Sequence, residues 1–562
     1  MMKKKRRIVF PIISALIVIA AVAVLGRIVS RYIPSNKWME QQEYFDVQGE
    51  ETALIMQDQL VRYKGLLRDE RLYLEHEAVE EYLNKRFYWD ESADLFLFTT
   101  PTELYEIPLE SKEYTVNDEK KTEEYVIAFQ EGDLCYLDAE FVKKFTFMEY
   151  DLLEEPNRAV IRYEKEPQTA AEMKKSTSVR FQGGIKSPIL TKVSKGDQVM
   201  VVDVMEDWTK VLTKDGYLGY VRNNTLGEQS QTTLEIPDFK EPVYTSLTQD
   251  EKINLVWHQV TNTDANASLK SDISEVKGVN VISPTWFSIT DNEGNISSLA
   301  DKEYVTTAHK SGMQVWGLTD NFNTSVDTET VLSSMSARKN IQDQLIEEAL
   351  KYKLDGINID FETIPESAGD DYIQFIREMS IKCRANEIIL SVDNPVPQPY
   401  TAHYDREEQG IVADYVIIMG YDEHYAGSDV GSVATMDFVT NGVKDTVAQV
   451  PSNKVINAIP FYVRIWNTDS EGNISSEAVS MAAAKNAVEE AGAEIVYDED
   501  AGQDYAQWTG SDGSLYQVWL ENDKSVEARA KLTQEYELGG IAEWKLGLEE
   551  SSVWDIISKY IS

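Results

Sequence analysis

Residues 354–362 read LDGINIDFE, and this stretch decides which fold the chain adopts. Because side chains alternate between the two faces of a β-strand, Asn358, Asp360 and Glu362 share one face. The alternate positions are apolar: Ile357, Ile359 and Phe361. Such a strand needs helices against its apolar face, while its polar face points into the mouth of a barrel. Asp360 and Glu362 then lie about 6.6 Å apart along the strand.

The rhythm of the surrounding chain predicts which barrel this is. Strand-like runs begin near Ile253, Val279, Gln314, Asp355, Glu387, Tyr415, Lys454 and Gly539. Helical patterns separate several of them, as at residues 331–351 and 371–383. Alternating strands and helices imply a parallel sheet, and eight repeats imply an α/β fold, a closed (β/α)₈ TIM barrel over residues 250–562. The wide seventh interval predicts a small inserted α+β subdomain, with strands at residues 496–497 and 515–519.

Composition limits the classes of protein that the chain can represent. Its 562 residues exceed one core, and 42% hydrophobic with 27% charged residues excludes wholesale disorder. There are 96 Asp and Glu against 54 Lys and Arg, a net charge of −42. Such a surface repels phosphate backbones, so nucleic acid is not an expected partner. Cys135 and Cys383 form no metal-ligand spacing and favour two buried thiols over a disulfide.

The N-terminus predicts the cellular location. Residues 8–26 form an uncharged run of 19 residues behind the basic block KKKRR at residues 3–7. At 1.5 Å per residue this run crosses about 30 Å of hydrocarbon, and the basic block predicts a cytoplasmic N-terminus. We therefore expect a transmembrane signal anchor in the cell membrane. A cleaved signal peptide is the alternative, since residues 21–23 read AVA. Both interpretations place the body outside the cell.

Residues 36–165 predict a small α/β module. The region combines a helical pattern at residues 77–83 with short strand-like runs at residues 95–98 and 159–163. The stretches YLNKRFYWD at residues 82–90 and LCYLD at 134–138 resemble the copper-amine-oxidase N-terminal-like module of bacterial wall proteins. That resemblance implies no copper.

Residues 177–227 predict a small β-barrel between two polar linkers, at residues 165–176 and 227–250. The motifs are VSKGDQV at 193–199, DWTKV at 207–211 and DGYLGYV at 215–221. They resemble a bacterial SH3 domain, a module that often docks cell-wall peptide. The resemblance makes Trp208, Tyr217 and Tyr220 candidate contacts, and the alternative is that these aromatics form the core of the barrel.

The paired carboxylates predict acid–base chemistry. Active sites of such barrels lie at the carboxyl ends of the strands. Two close and partly desolvated carboxylates repel each other, which raises the pKa of one of them enough to supply a general acid. Glu362 lies nearer the mouth and is the better acid. The structural alternative is that these acids cap loops or bind a cation.

Residues 355–362 also resemble the D-G-x-D-x-D-x-E signature of glycoside hydrolase family 18, the chitinase-like barrels. Further matches occur at the expected strand ends: MGYD at 419–422, PFYVRIW at 460–466 and GGIAEW at 539–544. The resemblance covers about residues 250–560 and looks most like the bacterial wall- and spore-associated branch that acts on peptidoglycan.

The resemblance implies a role for each matching residue. Glu362 would protonate the glycosidic oxygen and then activate water, while the 2-acetamido oxygen of the substrate is the nucleophile. Asp360 would orient the acetamido group, and Tyr421 would hydrogen-bond to its carbonyl oxygen. Asp422 would bind sugar hydroxyls or polarise Tyr421, and Trp544 would form an apolar floor.

Further candidates for substrate contact are Asn358, Met419, Tyr462, Arg464 and Trp286. Many members of the family have Asp at the position of Asn358. An amide does not ionise, but it can still donate a hydrogen bond to Asp360. Asp355 has the opposite parity to Asp360 and is expected to fix the start of the strand.

The favoured function is therefore a membrane-anchored extracellular glycoside hydrolase that cleaves N-acetylglucosamine-containing wall glycan with retention. Its expected partner is cell-wall polysaccharide, with no cofactor. A non-catalytic wall-binding scaffold is the alternative. A metal hydrolase is less favoured, because no ligand motif is formed by the five histidines, His76, His258, His309, His403 and His424.

Overall fold

A computed structural model describes residues 6–561, and the side chains of all of these except residues 6–13 and 28. The chain forms two compact units. The first consists of the residues up to Phe87, with Ile107–Tyr114 and Lys120–Glu241. The second consists of Tyr88–Glu106, Thr115–Glu119 and Pro242–Ser562. The predicted module at residues 36–165 is thus divided between the two units, and its resemblance to the copper-amine-oxidase module stays a prediction.

The chain begins with a helix, Arg6–Tyr32. Within it, Ser14–Tyr32 has a mean hydropathy of 1.9 and is not buried. By length and composition this segment could cross a membrane, and a signal sequence has the same properties. Of the predicted basic block, Lys3, Lys4 and Lys5 lie outside the described residues.

The first unit contains two seven-stranded sheets. In spatial order, the first sheet has the strands Glu149–Leu153, Arg158–Arg162, Glu51–Met56, Gln59–Arg68, Arg71–Glu75, Leu134–Asp138 and Ala128–Glu131. Its helices are Gln41–Phe45, His76–Tyr82 and Ala139–Lys143. The helix predicted at residues 77–83 is confirmed to within one residue. Further short strands, whose residues are divided between the two units, are Phe87–Asp90, Leu95–Thr99, Leu104–Pro108, Glu113–Val116 and Glu119–Thr122.

The second sheet contains the SH3-like module. Its strands, in spatial order, are Ile189–Val193, Thr177–Arg180, Leu218–Arg222, Trp208–Thr213, Gln198–Val204, Gln168–Met173 and Leu226–Thr232. The predicted linkers were wrong at residues 168–173 and 227–232, which lie in two strands that pair antiparallel with each other. Ala170, Ala171 and Met173 are buried there, and this burial fixes the segment in the sheet.

The aromatic residues of this module divide between core and surface. Tyr217 is buried, with its ring centroid 5.0 Å from that of Phe45. Its predicted contact with wall peptide was therefore wrong, because the ring belongs to the core. Trp208 and Tyr220 are half-buried and stay candidates.

The second unit contains the barrel. Its strands are β1 (Ile253–His258), β2 (Val281–Ile289), β3 (Gln314–Asp320), β4 (Gly356–Asp360), β5 (Ile389–Pro395), β6 (Tyr415–Met419), β7 (Val455–Pro460) and β8 (Gly540–Trp544). All neighbours are parallel, and β1 pairs with both β2 and β8, which closes the ring. The predicted TIM barrel is confirmed, and every strand begins within two residues of its predicted start. A short strand, Ile296–Ser298, pairs antiparallel with β2.

Two apolar clusters lie on either side of the barrel wall. The inner one includes Leu255, Trp316 and Ile417. The outer one contains Ile357, Ile359 and Phe361, as the alternation in β4 predicts. It packs under the helices Leu269–Asp272, Lys302–Lys310, Thr328–Ser333, Met335–Tyr352, Gly369–Ala385, Arg406–Val412, Asp523–Glu535 and Ser552–Ile557. This packing turns the polar face of β4 inward. The helix Met436–Val447 packs on a separate cluster that includes Val416 and Ile418.

The predicted insertion follows β7. Its five-stranded sheet has the order Ile474–Ser480, Tyr462–Thr468, Leu515–Leu520, Gln503–Thr509 and Ile495–Asp498. The helix Met481–Ala491 packs on one face of this sheet through Ala484 and Val488.

A buried ionic network joins the segment Tyr88–Glu106 to the barrel helices. The Nη2 atom of Arg338 donates to Oδ2 of Asp90 at 2.6 Å, and both side chains are 0% exposed. The same guanidinium lies 3.3 Å from a carboxyl oxygen of Glu378. Because a buried charge needs a partner, Asp90 is part of the barrel unit.

Candidate active site

Three carboxyl groups form a row across adjacent strands at the mouth of the barrel. Asp320 on β3 pairs in register with Asp360 on β4. On the other side of β4, Ile359 pairs with Val392, so Asp393 on β5 occupies the position next to Asp360. All three carboxyl groups are at most 9% exposed. We call these three residues the carboxyl row.

Glu362 lies beyond the row, in the loop that follows β4, and is open to solvent. Desolvation raises its pKa, and repulsion from Asp422 and Asp320 adds to this effect. Desolvation also raises the pKa of Asp360 well above its ordinary value, and repulsion from Asp393, Glu362 and Asp320 reinforces that shift. The predicted pair of interacting acids is thus present, and it belongs to a cluster larger than two.

Asn358 lies beneath the row and is completely buried. Its Oδ1 accepts hydrogen bonds from Nε1 of Trp257 at 2.9 Å and from Oγ of Ser283 at 3.1 Å. Its Nδ2 donates to Oγ of Ser391 at 3.0 Å and to Oδ1 of Asp393 at 2.8 Å. The predicted hydrogen bond to Asp360 was therefore wrong, because both N–H groups are directed toward β5. Full burial also places the amide out of reach of a substrate.

Asn321 and Phe322, which directly follow β3, hold Glu362 and Asp320 in place. The backbone N–H of Glu362 donates to Oδ1 of Asn321 at 2.9 Å, and Nδ2 of Asn321 donates to the carbonyl oxygen of Glu362 at 2.9 Å. Asp320 accepts from the backbone N–H of Phe322 at 3.1 Å and from Oγ of Ser288 at 2.8 Å. Thus Asn321 fixes the backbone that carries the candidate acid.

Met419 and Tyr421 lie at the carboxyl end of β6, which pairs with β5, and Trp544 lies at the carboxyl end of β8; all three are half-buried. Desolvation raises the pKa of Tyr421 well above its ordinary value, and the charges of Asp360 and Asp393 raise it further. The phenol is therefore neutral, close to the acids, and able to donate a hydrogen bond. Trp544 ends β8, with its ring centroid 5.9 Å from that of Trp257.

Asp422 is exposed and has the left-handed backbone conformation, with φ 58°. Its carboxylate accepts a hydrogen bond from the hydroxyl of Tyr462. This bond joins the loop after β6 to the first strand of the insertion. Arg464, two residues further along that strand, is half-buried and donates to Oγ of Ser476 at 3.2 Å.

One predicted contact was wrong. Trp286 is 1% exposed, belongs to the outer cluster, and donates from Nε1 to Oδ1 of Asn266 at 2.9 Å. It packs between strand and helices and does not face the mouth. By contrast, Asp355 does fix the start of β4: its Oδ2 accepts from the backbone N–H of Val315 at 2.8 Å and lies 2.8 Å from Nε2 of His309.

Asp320, Asp393 and Asn321 were missed by the sequence analysis. Each lies at or just after the carboxyl end of a barrel strand, in the runs GLTDN and SVDN. The carboxyl ends of β3 and β5 carry the same signal as the carboxyl end of β4 and would have identified these residues. Within residues 6–561, no group of His, Cys, Asp and Glu side chains is arranged to hold a metal ion.

A parallel barrel with a cluster of carboxyl groups at the carboxyl ends of its strands has the architecture of a barrel enzyme. Residues 314–549 match the family described as Glycosyl hydrolases family 18. Residues 175–227 match the Bacterial SH3 domain family. The chain therefore contains a glycosyl hydrolase family 18 barrel and a bacterial SH3 domain, as their motifs predict.

Individual proteins resemble parts of the chain. The uncharacterized glycosylase YvbX of Bacillus subtilis is 28% identical over 293 residues, which are 50% of this chain and 84% of that protein. The cortical fragment-lytic enzyme of Bacillus subtilis is 26% identical over 236 residues, 41% of this chain and 54% of that enzyme. The crystal structure of a chitinase from Chromobacterium violaceum has 24% identity and a TM-score of 0.50, and covers 55% of this chain and 99% of that one. This last likeness shows the fold alone.

Proposed function

We propose that the protein hydrolyses N-acetylglucosamine-containing glycan of the bacterial cell wall, with retention and with the help of the substrate's own acetamido group. The observation that carries this proposal is the position of Glu362, a carboxyl group of raised pKa at the mouth above the buried carboxyl row. A raised pKa keeps a carboxyl group protonated closer to neutral pH, as a general acid requires.

In the first step, the proton of Glu362 passes to the glycosidic oxygen while the acetamido oxygen attacks the anomeric carbon. The bond to the leaving sugar breaks, and a cyclic oxazolinium ion forms. Asp360 accepts a hydrogen bond from the acetamido N–H and opposes the positive charge of this ion. The neutral hydroxyl of Tyr421 donates to the acetamido oxygen, and the ring of Trp544 supports the sugar.

In the second step, the carboxylate of Glu362 takes a proton from water, and the hydroxide attacks the anomeric carbon from the face that the leaving sugar vacated. This opens the oxazolinium ring and restores the acetamido group. Two inversions at the same carbon give net retention, and Glu362 regains its proton.

The test is the Glu362→Gln variant, assayed for release of reducing ends from purified wall. Glutamine keeps the size of the side chain but carries no transferable proton, so we expect a fall of about 10²–10⁴-fold. Glu366→Gln is the matched control, because Glu366 is an exposed acid four residues away. Wall-degrading activity that Glu362→Gln leaves unchanged would rule out Glu362 as the acid, and binding without any turnover would favour a scaffold.

We also propose that the apolar N-terminal helix anchors the enzyme in the membrane with its body outside the cell. The support is the length and hydropathy of Ser14–Tyr32. Mass spectrometry of the protein extracted from membranes tests this. An intact N-terminus supports an anchor, and a mature chain that begins after residue 23 would show a cleaved signal peptide.

A further inference from the structure

The carboxyl row accepts too few hydrogen bonds to stabilise all three of its carboxyl groups in the ionised form. Asp320 accepts two hydrogen bonds, which favour its ionised form. In contrast, Oδ1 of Asp360 and Oδ2 of Asp393 are both buried without a hydrogen-bond partner. A buried oxygen atom that lacks a partner destabilises the folded state. The two atoms therefore need a proton donor between them.

The positions of these two residues suggest where that donor comes from. Asp360 and Asp393 occupy adjacent register positions on β4 and β5, and the backbones of neighbouring strands are about 4.8 Å apart. Two carboxylates so close and so deeply buried do not both ionise. If one of them keeps its proton, its O–H can donate to the other. A single proton then satisfies both oxygen atoms.

Asn358 fixes one member of this pair. Its amide donates to Oδ1 of Asp393, which leaves Oδ2 as the oxygen without a partner. The amide itself does not ionise and does not bond to Asp360. Of the two carboxyl groups on the strands beside Asp360, Asp320 already accepts two hydrogen bonds, so the group that can share a proton is Asp393 on β5.

We propose that Asp393 is a positioning residue that shares one proton with Asp360. Position 358 on β4 holds an amide, which does not ionise, and Asp393 on β5 takes over the role that a carboxyl group at position 358 would have. This inference rests on the proposed function only for its catalytic consequence. When the acetamido N–H of the substrate binds to Asp360, the shared proton stays on Asp393. Asp360 then carries the negative charge that opposes the oxazolinium ion. The pair neither gains nor loses a proton during the reaction.

Around this pair, the groups that change protonation state near neutral pH are carboxyl groups. The ionisable side chains around the pair are Asp320, Glu362, Asp422, Tyr372, Tyr404, Tyr421 and Arg406. Burial raises the pKa of all three tyrosines, so they stay neutral near pH 7. Desolvation lowers the pKa of Arg406 to about 10, so it stays charged there. Proton exchange between about pH 4 and 8 therefore involves the acids alone.

The test compares Asp393→Asn with the double variant Asn358→Asp/Asp393→Asn, both in the full chain. Asparagine at position 393 keeps an oxygen that can accept from Asn358 but has no carboxyl group. Without the O–H that Asp393 donates to it, the Asp360 carboxylate is less well stabilised and Asp360 ionises at higher pH. We expect the acid limb of the pH profile of kcat/KM to move up by about one pH unit or more. The alkaline limb, which reports Glu362, stays in place, and the double variant reverses the shift because it returns a carboxyl group to β4.

Infrared titration of the carboxyl C=O band in protein labelled with ¹³C-aspartate provides a readout that needs no turnover. The wild type is expected to retain a protonated aspartate near pH 7, which Asp393→Asn loses. Asp360→Asn removes the other member and is expected to remove the same band if Asp393→Asn does not fold. A band and an acid limb that are unchanged in Asp393→Asn would overturn the proposal and leave Asp393 as a hydrogen-bond acceptor only. Loss of the band in a protein without glycan turnover would support proton sharing and refute the proposed function.

Discussion

The ion pair between Arg338 and Asp90 tests whether residues 88–106 are structurally part of the barrel. Asp90→Asn changes almost nothing but charge, because the Oδ1 contacts with Oγ of Ser92 at 2.6 Å and with the backbone N–H of Ala93 at 3.1 Å can persist. With Oδ1 held in these contacts, the substitution places the amide Nδ2, a donor, against the guanidinium in place of Oδ2. Arg338 then keeps its donor contact to the carbonyl oxygen of Leu332 at 2.7 Å and its longer contacts to Glu378.

The magnitude follows from these contacts. Removing one partner of a fully buried pair costs about 3–5 kcal/mol, since the remaining charge is left without compensation. Here Glu378 still offers two oxygen atoms, at 3.3 and 3.4 Å, so we expect the lower end, about 3 kcal/mol in the free energy of unfolding. The matched control is Lys339→Ala on the same helix. Lys339 pairs with Asp343 at 2.6 Å, but the two side chains are 58% and 52% exposed, so its loss costs less than about 0.5 kcal/mol.

Hydrogen exchange measured by mass spectrometry is the suitable assay, because it reports the opening free energy of separate segments. We expect Asp90→Asn to lower protection in the helices Met335–Tyr352 and Gly369–Ala385, and Lys339→Ala to leave it unchanged. A fragment that begins at residue 242 lacks Asp90 and should show the same weakening. Equal protection in Asp90→Asn and the control would refute the assignment of residues 88–106 to the barrel unit.

Two further predictions concern the site and the pH dependence of stability. Tyr462→Phe removes the hydroxyl that donates to Asp422. Because a hydrogen bond to a charged group is lost, we expect kcat/KM to fall by about tenfold, with the unfolding midpoint changed by no more than a few degrees. An unchanged kcat/KM would show that this bond does not position the loop. Glu543 is 0% exposed, neither carboxyl oxygen has a hydrogen-bond partner, and desolvation raises its pKa well above the ordinary 4.5. The folded state therefore binds this proton more tightly than the unfolded state, and wild-type stability falls as the pH rises above 4.5 toward the folded pKa. Glu543→Gln should match the wild type below pH 4.5 and exceed it increasingly at higher pH in urea unfolding; a difference independent of pH would contradict this account.

The eight strand-like runs were sufficient to predict the barrel, and the alternation in residues 354–362 was sufficient to predict the orientation of its most acidic strand. Ile357, Ile359 and Phe361 had to lie under helices, and this forced the polar face inward. Strand periodicity is a local property of the chain, so it can be read from one segment. The same holds for Asp355, whose parity excluded it from the mouth.

Contacts between strands could not be read in this way. The hydrogen bond of Asn358 to Asp393 depends on the register of β4 against β5, which no pattern within either strand specifies. Trp286 lies where the pairing of β2 with β3 shifts register, between Thr285 and Phe287. A strand that is locally irregular no longer obeys simple alternation. Parity along β2 therefore could not show that Trp286 packs outward.

The layered interior explains why an amide occupies position 358. This side chain accepts two hydrogen bonds, from Trp257 and Ser283, and donates two, to Ser391 and Asp393. A carboxylate could accept but not donate, so it would remove the hydrogen bond that Asp393 accepts from Asn358 and add another charge under the carboxyl row. The amide is thus required as long as the second carboxyl group lies on β5. Asn358, which departs from the family signature, and Asp393, which the sequence analysis missed, are two parts of one arrangement. In it, a neutral, fully hydrogen-bonded layer supports the carboxyl row above it.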